Sequence, residues 1–90
     1  MADQPAVIVL QDGDSVAVAV YALEPEDRIG LGDVTIRDRI PAGHKLALRD
    51  IEQGEDVLKY GEIIGQATAP IPKGTHVHVH NLVGKRLIGT

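Results

Sequence analysis

The sequence contains no cysteine, phenylalanine or tryptophan, and it has only two tyrosines. Without cysteine, disulfides and thiolate chemistry are excluded, which fits a reducing compartment such as the cytoplasm. The hydrophobic core must be aliphatic, and 27 of the 90 residues are valine, isoleucine or leucine. This length suits one small domain, and domains of this size often depend on a partner for stability.

Long apolar runs and runs of basic residues are also missing. No stretch approaches the roughly 20 apolar residues needed to span a bilayer. The first five residues, Met1–Pro5, have neither the basic segment nor the apolar run of a secretion signal. The net charge is −4, from 13 acidic and 9 basic residues, which disfavours nucleic acid as a partner. We therefore expect a soluble cytoplasmic protein with no membrane or nucleic-acid partner.

Short apolar runs separated by turn residues predict an all-β domain with little helix. Six strands are predicted before the last histidines, at Val7–Leu10, Ser15–Tyr21, Val34–Ile36, Lys45–Arg49, Val57–Tyr60 and Ile63–Ala67. In the second strand valine alternates with alanine, so both faces are apolar and both should be buried. The last two strands should form a hairpin joined at Gly61-Glu62.

A seven-residue pattern recurs along the chain: an apolar residue, two others, glycine, two others and an apolar residue. It begins at Ile40, Ile51 and Ile71, and a degenerate copy from Leu23 has Glu26 in the glycine place. The pattern predicts a buried anchor, a turn at positive φ and a strand that re-enters the core. Copies that start 11 and then 20 residues apart are too unevenly spaced for a solenoid.

Three of the four histidines alternate with valines in the segment His76–Asn81. In a strand, residues i, i+2 and i+4 share one face. This predicts that the three histidines line one surface while Val77 and Val79 are buried on the other. Imidazole is a common metal ligand and the usual acid or base near neutral pH. The alternative is a polar strand edge that only faces solvent.

Three segments occur in the order typical of one enzyme family: Gly43–Leu48, then Lys59–Gly61 with Ile64-Gly65, then His76–Asn81. Residues 6–82 resemble the small N-terminal domain of the altronate/galactarate dehydratase family. The resemblance implies a β-clip fold of the SAF type, preceded by a tail at residues 1–5. Residues 83–90 would be a second tail or the stub of a linker. Thr75 stands where the family often has an acidic residue, which leaves the subfamily open.

The resemblance also implies a function. The chain would be the small subunit or N-terminal domain of a metal-dependent sugar-acid dehydratase, and it would complete the active site of a larger catalytic subunit. The metal would be divalent, typically iron. One alternative is the alpha subunit of a sulfolactate sulfo-lyase, and another is a non-catalytic β-clip module that binds a small carboxylate. We expect the isolated domain to bind metal weakly, because one strand gives an incomplete coordination shell.

The implied site residues are assigned by type. The catalytic residues would be His78 and His80, the metal ligands His76, His78 and His80, and the substrate-binding residues His44, Lys45 and Lys59. Asn81 would orient a histidine from outside the ligand shell. Simpler alternatives exist: His44 could only bond nearby backbone, the two lysines could be solvated, and Asn81 could cap the turn after the strand.

Overall fold

The computed structural model describes residues 7–8, 13–29 and 34–84, and every regular element in them is a β-strand. The nine strands are β1 Val7–Ile8, β2 Val16–Ala19, β3 Arg28–Ile29, β4 Val34–Thr35, β5 Lys45–Ala47, β6 Asp56–Lys59, β7 Glu62–Ala67, β8 His76–Val77 and β9 Leu82–Gly84. The all-β prediction is confirmed, although β3 and β9 were not expected as strands. Among these residues no helix could cross a membrane.

Some predicted features lie outside the described residues. These are the tail at residues 1–5, the end of the first predicted strand at residues 9–10, and residues 85–90 of the second tail. The predicted domain boundary after residue 82 falls within β9, which pairs with β7.

The strands form three antiparallel sheets, in the orders β1-β2-β5-β8, β3-β4 and β6-β7-β9. Strands β2 and β5 occupy the centre of the first sheet. Ala17 and Leu46 pack into one hydrophobic core, whereas Val16 and Ala47 pack into a second core on the other face. Strand β2 is therefore buried on both sides, as its two apolar faces predict.

The repeated pattern forms four similar turns. In each turn, an N–H group donates to the carbonyl three residues earlier, in the segments Glu24–Asp27, Pro41–His44, Glu52–Glu55 and Pro72–Thr75. The third residue has a φ of 83° to 87° at the three glycines and 80° at Glu26. Positive φ at this one position makes them type II turns. Pro25 precedes Glu26, at the position that type II turns favour for proline.

The apolar anchors that open the four turns pair with one another across the fold. Leu23 forms a bridge with Ile40 in the first core, and Ile51 forms a bridge with Ile71 in the second. All four side chains are buried. Each core thus contains the anchors of two copies of the pattern. The prediction that these apolar positions are buried is confirmed.

The β6–β7 hairpin turns one residue earlier than predicted, at Tyr60-Gly61 instead of Gly61-Glu62. Both turn residues have positive φ, 59° and 74°, as a type I′ hairpin turn requires. The buried carboxylate of Asp14 accepts hydrogen bonds from the N–H groups of Tyr60 and Gly61, at 3.1 and 2.9 Å. Tyr60 is half exposed, and the Lys59 ammonium lies 4.5 Å from the centroid of its ring.

Candidate functional site

His44 is fixed at the entrance to β5 by two backbone hydrogen bonds. Its N–H closes the type II turn by donating to Pro41, at 3.0 Å, and its carbonyl accepts from the N–H of Ala19 in β2, at 2.9 Å. Because both the turn and the neighbouring strand hold this residue, the position of its Cα is set by the fold of the first sheet.

The pairing of β5 with β8 brings His44 to the other histidines. Leu46 lies opposite His76, and Lys45 lies opposite Val77. Continuing this register by one pair sets His44 opposite His78, and directly opposite side chains lie on the same face. The rings stack accordingly, with the His44 centroid 4.5 Å from that of His78 and 5.0 Å from that of His76.

The histidine strand is shorter than predicted, because it ends at Val77 and the next four residues form a turn. The N–H of Asn81 donates to the carbonyl of His78, at 3.0 Å. Val77 is fully buried, but Val79 is 82% exposed. The prediction that both valines are buried is therefore wrong for Val79, since the turn ends the strand alternation before that residue.

Asn81 holds this turn with its side chain. It is only 6% exposed, its Oδ1 accepts from the N–H of His78, and its Nδ2 donates to the carbonyl of His76. It therefore caps the chain after the strand and fixes the backbone of two histidines. Both hydrogen bonds are with the main chains of these histidines.

His80 reaches the cluster by a different route from the one its spacing predicts. It lies in the exposed turn, yet its ring centroid is 5.3 Å from that of His76. The turn folds His80 back beside the strand instead of extending it along the strand. All four histidines of the chain thus meet at one end of the β5–β8 pair.

The closest contact in the cluster joins His44 and His76. Nδ1 of His44 lies 2.8 Å from Nε2 of His76, so one of these nitrogens carries a hydrogen and donates it to the other. One ring nitrogen from each of His44, His76 and His78 lies within 4.8 Å of the corresponding nitrogens of the other two. The predicted ligand set had His80 in the place of His44. The pairing of β5 with β8 determines this difference, and no spacing within the sequence reveals it.

Burial and neighbouring cations favour neutral imidazoles in the cluster. Burial lowers the pKa of His76, and repulsion from the other three histidines lowers it further, while Asp38 acts in the opposite direction. Burial, then His44, Lys45 and His80, lower the pKa of His78. A neutral imidazole has the free lone pair that a proton or a metal ion requires.

Lys45 lies near His78, and Lys59 lies near Lys45, so the two lysines form a cationic pair at the edge of the cluster. Burial lowers the pKa of Lys45, and the nearby charge of Lys59 lowers it further. Both side chains are half-buried. Among the described residues, no carboxylate forms an ion pair with either lysine. The arrangement can therefore accept an anionic group such as a carboxylate.

Comparison with known proteins agrees with the resemblance read from the motifs. Residues 5–85 match the altronate/galactarate dehydratase SAF domain. The chain is 46% identical to the altronate dehydratase of Escherichia coli over 70 residues, which cover 76% of this chain and 14% of that enzyme. It is 37% identical to the altronate dehydratase of Bacillus subtilis over 76 residues, covering 82% of this chain and 15% of that enzyme.

A second group of relatives consists of small subunits. The chain is 51% identical to the (2R)-sulfolactate sulfo-lyase subunit alpha of Chromohalobacter salexigens over 51 residues, which cover 57% of this chain and 54% of that subunit. The chain thus spans a small part of the dehydratases and about half of this subunit. Because the family match covers nearly the whole sequence, the chain belongs to the altronate/galactarate dehydratase SAF domain family.

Proposed function

We propose that this chain is the small domain or subunit of a metal-dependent lyase that dehydrates a sugar acid. The observation that carries the proposal is the convergence of four histidines, with Lys45 near His78 and Lys59 near Lys45. Such a site combines groups for proton transfer, metal binding and carboxylate binding. Its place in the family supports the proposal, since its relatives include dehydratases of altronate and galactarate.

Dehydration of a hydroxy acid requires removal of the proton from the carbon beside the carboxylate. Hydroxide leaves from the next carbon and takes up a proton to depart as water. Lys45 and Lys59 would bind the substrate carboxylate through charge-assisted hydrogen bonds. A bound divalent ion, which we expect to be iron, would polarise the carboxylate and stabilise the negative charge that develops there.

His78 and His80 are the predicted catalytic residues, and their positions suggest a division of roles. The ring of His78 lies within the group of three close nitrogens, so it is the better placed of the two to hold an ion. His80 lies in the exposed turn at the edge of the cluster. We therefore assign the proton transfer to His80, since histidine is the side chain most often used as a general acid or base.

A larger catalytic chain is needed to complete this site. The domain offers reactive side chains, but none of these histidines and lysines is fully buried, so substrate bound there would remain open to water. Val79, which lies between His78 and His80, leaves apolar surface exposed beside the cluster, and a protein interface would cover such surface. The matching segments of the altronate dehydratases form 14% and 15% of longer enzymes, which supports a larger partner.

A sulfolactate sulfo-lyase is the second candidate, favoured by the 51% identity to an alpha subunit of that enzyme. The chemistry is closely related. The proton again leaves the carbon beside the carboxylate, and sulfite leaves from the next carbon in place of hydroxide. The same histidines and lysines serve either reaction, so the leaving group depends on the partner chain.

The test is reconstitution with a larger chain of the dehydratase family from the same organism. The two purified chains are combined with Fe²⁺ and assayed on altronate, galactarate and (2R)-sulfolactate. We expect turnover of one of these only when both chains are present. Lys45→Ala and Lys59→Ala, which change lysines in β5 and β6, should raise KM. Lys73→Ala is the matched control, because it changes a lysine in the Pro72–Thr75 turn and should leave KM unchanged.

The assay distinguishes the candidates by the product. Water elimination identifies a dehydratase, and sulfite release identifies the sulfo-lyase. Copurification without turnover of any substrate would favour a non-catalytic module that binds a small carboxylate. Equal turnover with and without this chain would overturn the proposal altogether.

A further inference from the structure

We propose that His44, His76 and His78 form a complete protein ligand set for one divalent transition-metal ion, so that this chain binds the ion without a partner. The inference deepens the proposed function, on whose site it rests, because it names the ligands and places all three in the small domain. It also makes His80 a bystander in metal binding. Both points differ from what the alternating histidines predict.

The ligands come from two strands, which removes the objection to a site on this domain. Side chains from one twisted strand diverge, so three of them seldom reach a single ion. Here His76 lies in β8 and His78 directly follows that strand, while His44 directly precedes the neighbouring strand β5. The register places His44 across from the other two, and its ring stacks on both.

The nitrogen atoms are already close to the spacing that an ion requires. All three lie within 4.8 Å of one another, and the His44–His76 pair is 2.8 Å apart. Nitrogen ligands at bonds of about 2.0–2.1 Å stand roughly 3 Å apart around one ion. Small rotations of half-buried rings would bring the group to that spacing, with no change in the strands.

Backbone contacts hold each ligand in place before any ion arrives. His44 is fixed by Pro41 and Ala19, as described above. The N–H of His76 donates to Asp38 at 3.2 Å, and Asn81 bonds to the main chains of both His76 and His78. A site organised in this way loses little conformational freedom on binding, which favours affinity.

The ligand type determines which ions fit. Three imidazoles suit first-row ions such as Fe²⁺, Co²⁺ and Zn²⁺, whereas Mg²⁺ and Ca²⁺ prefer oxygen ligands. Three protein ligands also leave coordination positions open for water or a substrate oxygen. The hydrogen between His44 Nδ1 and His76 Nε2 lies on one imidazole, and it can move to the other nitrogen of that same ring, which frees both facing nitrogens for an ion.

The experiment uses the full 90-residue chain, freed of metal with EDTA and then dialysed. Co²⁺ is added, and binding is followed by its visible absorption bands, with calorimetry to count ions per chain. We expect one Co²⁺ per chain and no displacement by millimolar Mg²⁺. His44→Ala, His76→Ala and His78→Ala should each weaken binding at least about tenfold, since even outer-shell partners cost that much.

His80→Ala is the matched control, because it removes a histidine of the same cluster that lies outside the ligand set. It should leave the affinity and the absorption bands unchanged. Circular dichroism checks that each variant is folded, and His44→Gln replaces His44→Ala if the latter unfolds. Failure of the wild-type chain to bind one Co²⁺ would overturn the inference, as would equal loss of affinity in the His80 and His44 variants.

This test is independent of the reconstitution assay, because it uses neither partner nor substrate. A chain that binds Co²⁺ through these three histidines but supports no turnover would sustain the inference and defeat the proposed function. A chain that binds no ion alone but supports turnover with a partner would sustain the proposed function and defeat the inference.

Discussion

Nδ1 of His44 lies 2.8 Å from Nε2 of His76, although 32 positions separate the two residues in the sequence. The contact exists because β5 and β8 are neighbours in the first sheet. The candidate site is therefore a product of strand pairing, and the alternating histidines supply only part of it. His44 reaches the cluster from β5, and the other three histidines reach it from β8 and the turn after it. Substitutions can therefore test the role of each histidine separately.

The first prediction separates proton transfer from metal binding in the assembled complex. His80→Ala should lower kcat by on the order of a hundredfold, the usual contribution of a general acid or base, while the metal content stays unchanged. His78→Ala should lower both. Turnover and bound metal are measured on the same preparations. Near-normal turnover by His80→Ala would remove this residue from the catalytic assignment.

The second prediction concerns Asn81, whose side chain joins the main chains of His76 and His78. Asn81→Ala should lower the free energy of unfolding by about 1–3 kcal/mol, because a buried donor and acceptor lose their partners. Asn81→Asp keeps the acceptor for the His78 N–H but sets a second carboxylate oxygen against the His76 carbonyl, so it should not restore wild-type stability. Urea unfolding of the metal-free chain measures both. A stability equal to wild type in Asn81→Ala would show that the turn does not depend on this side chain.

The third prediction compares two glycines of the repeated turn. Both have positive φ, but a Cβ on Gly54 meets open space, whereas a Cβ on Gly74 would collide with the carbonyl oxygen of Thr35. Gly54→Ala should cost about 1–2 kcal/mol from the left-handed backbone alone. Gly74→Ala should cost a further 1–3 kcal/mol or so, because the backbone of β4 must shift. Similar losses in urea unfolding would contradict the steric part of the argument.

The repeated turns were predictable from sequence because they depend on local chemistry. An apolar anchor and a glycine three residues later define the turn whatever the rest of the fold does, and even Glu26 adopts the glycine conformation after Pro25. The family could be read from the sequence for a similar reason, since its three motifs are short and occur in a fixed order.

Three features escaped sequence reasoning, and two of them depend on tertiary contacts. Val79 fits a strand by alternation, but β8 ends at Val77, where the turn held by the buried Asn81 begins. The hairpin turn at Tyr60 is fixed by the buried carboxylate of Asp14, which lies 46 positions away in the sequence. His44 joins the cluster only through strand pairing. For Tyr60 and His44 the deciding contact joins segments far apart in the sequence, whereas the turn at Asn81 is a local contact that the alternation of valine and histidine conceals.

The last prediction is a pH dependence of stability in the metal-free chain. The pKa values of His76 and His78 are both lowered from the ordinary value near 6.5. The groups responsible, besides burial, are His44, His80 and Lys45, with Asp38 opposing them at His76. Below about pH 6.5 the unfolded chain therefore binds more protons at these two positions than the folded chain does.

Since the unfolded state takes up more protons, the free energy of unfolding should rise with pH across this range and fall on acidification. Urea unfolding in EDTA at several pH values between 5 and 7 measures the slope. His76→Gln and His78→Gln each remove one titrating group and should flatten it, whereas Glu52→Gln, at an exposed carboxylate in another turn, should not. A wild-type slope of the opposite sign, or one unchanged by both histidine substitutions, would show that these imidazoles do not couple protonation to folding.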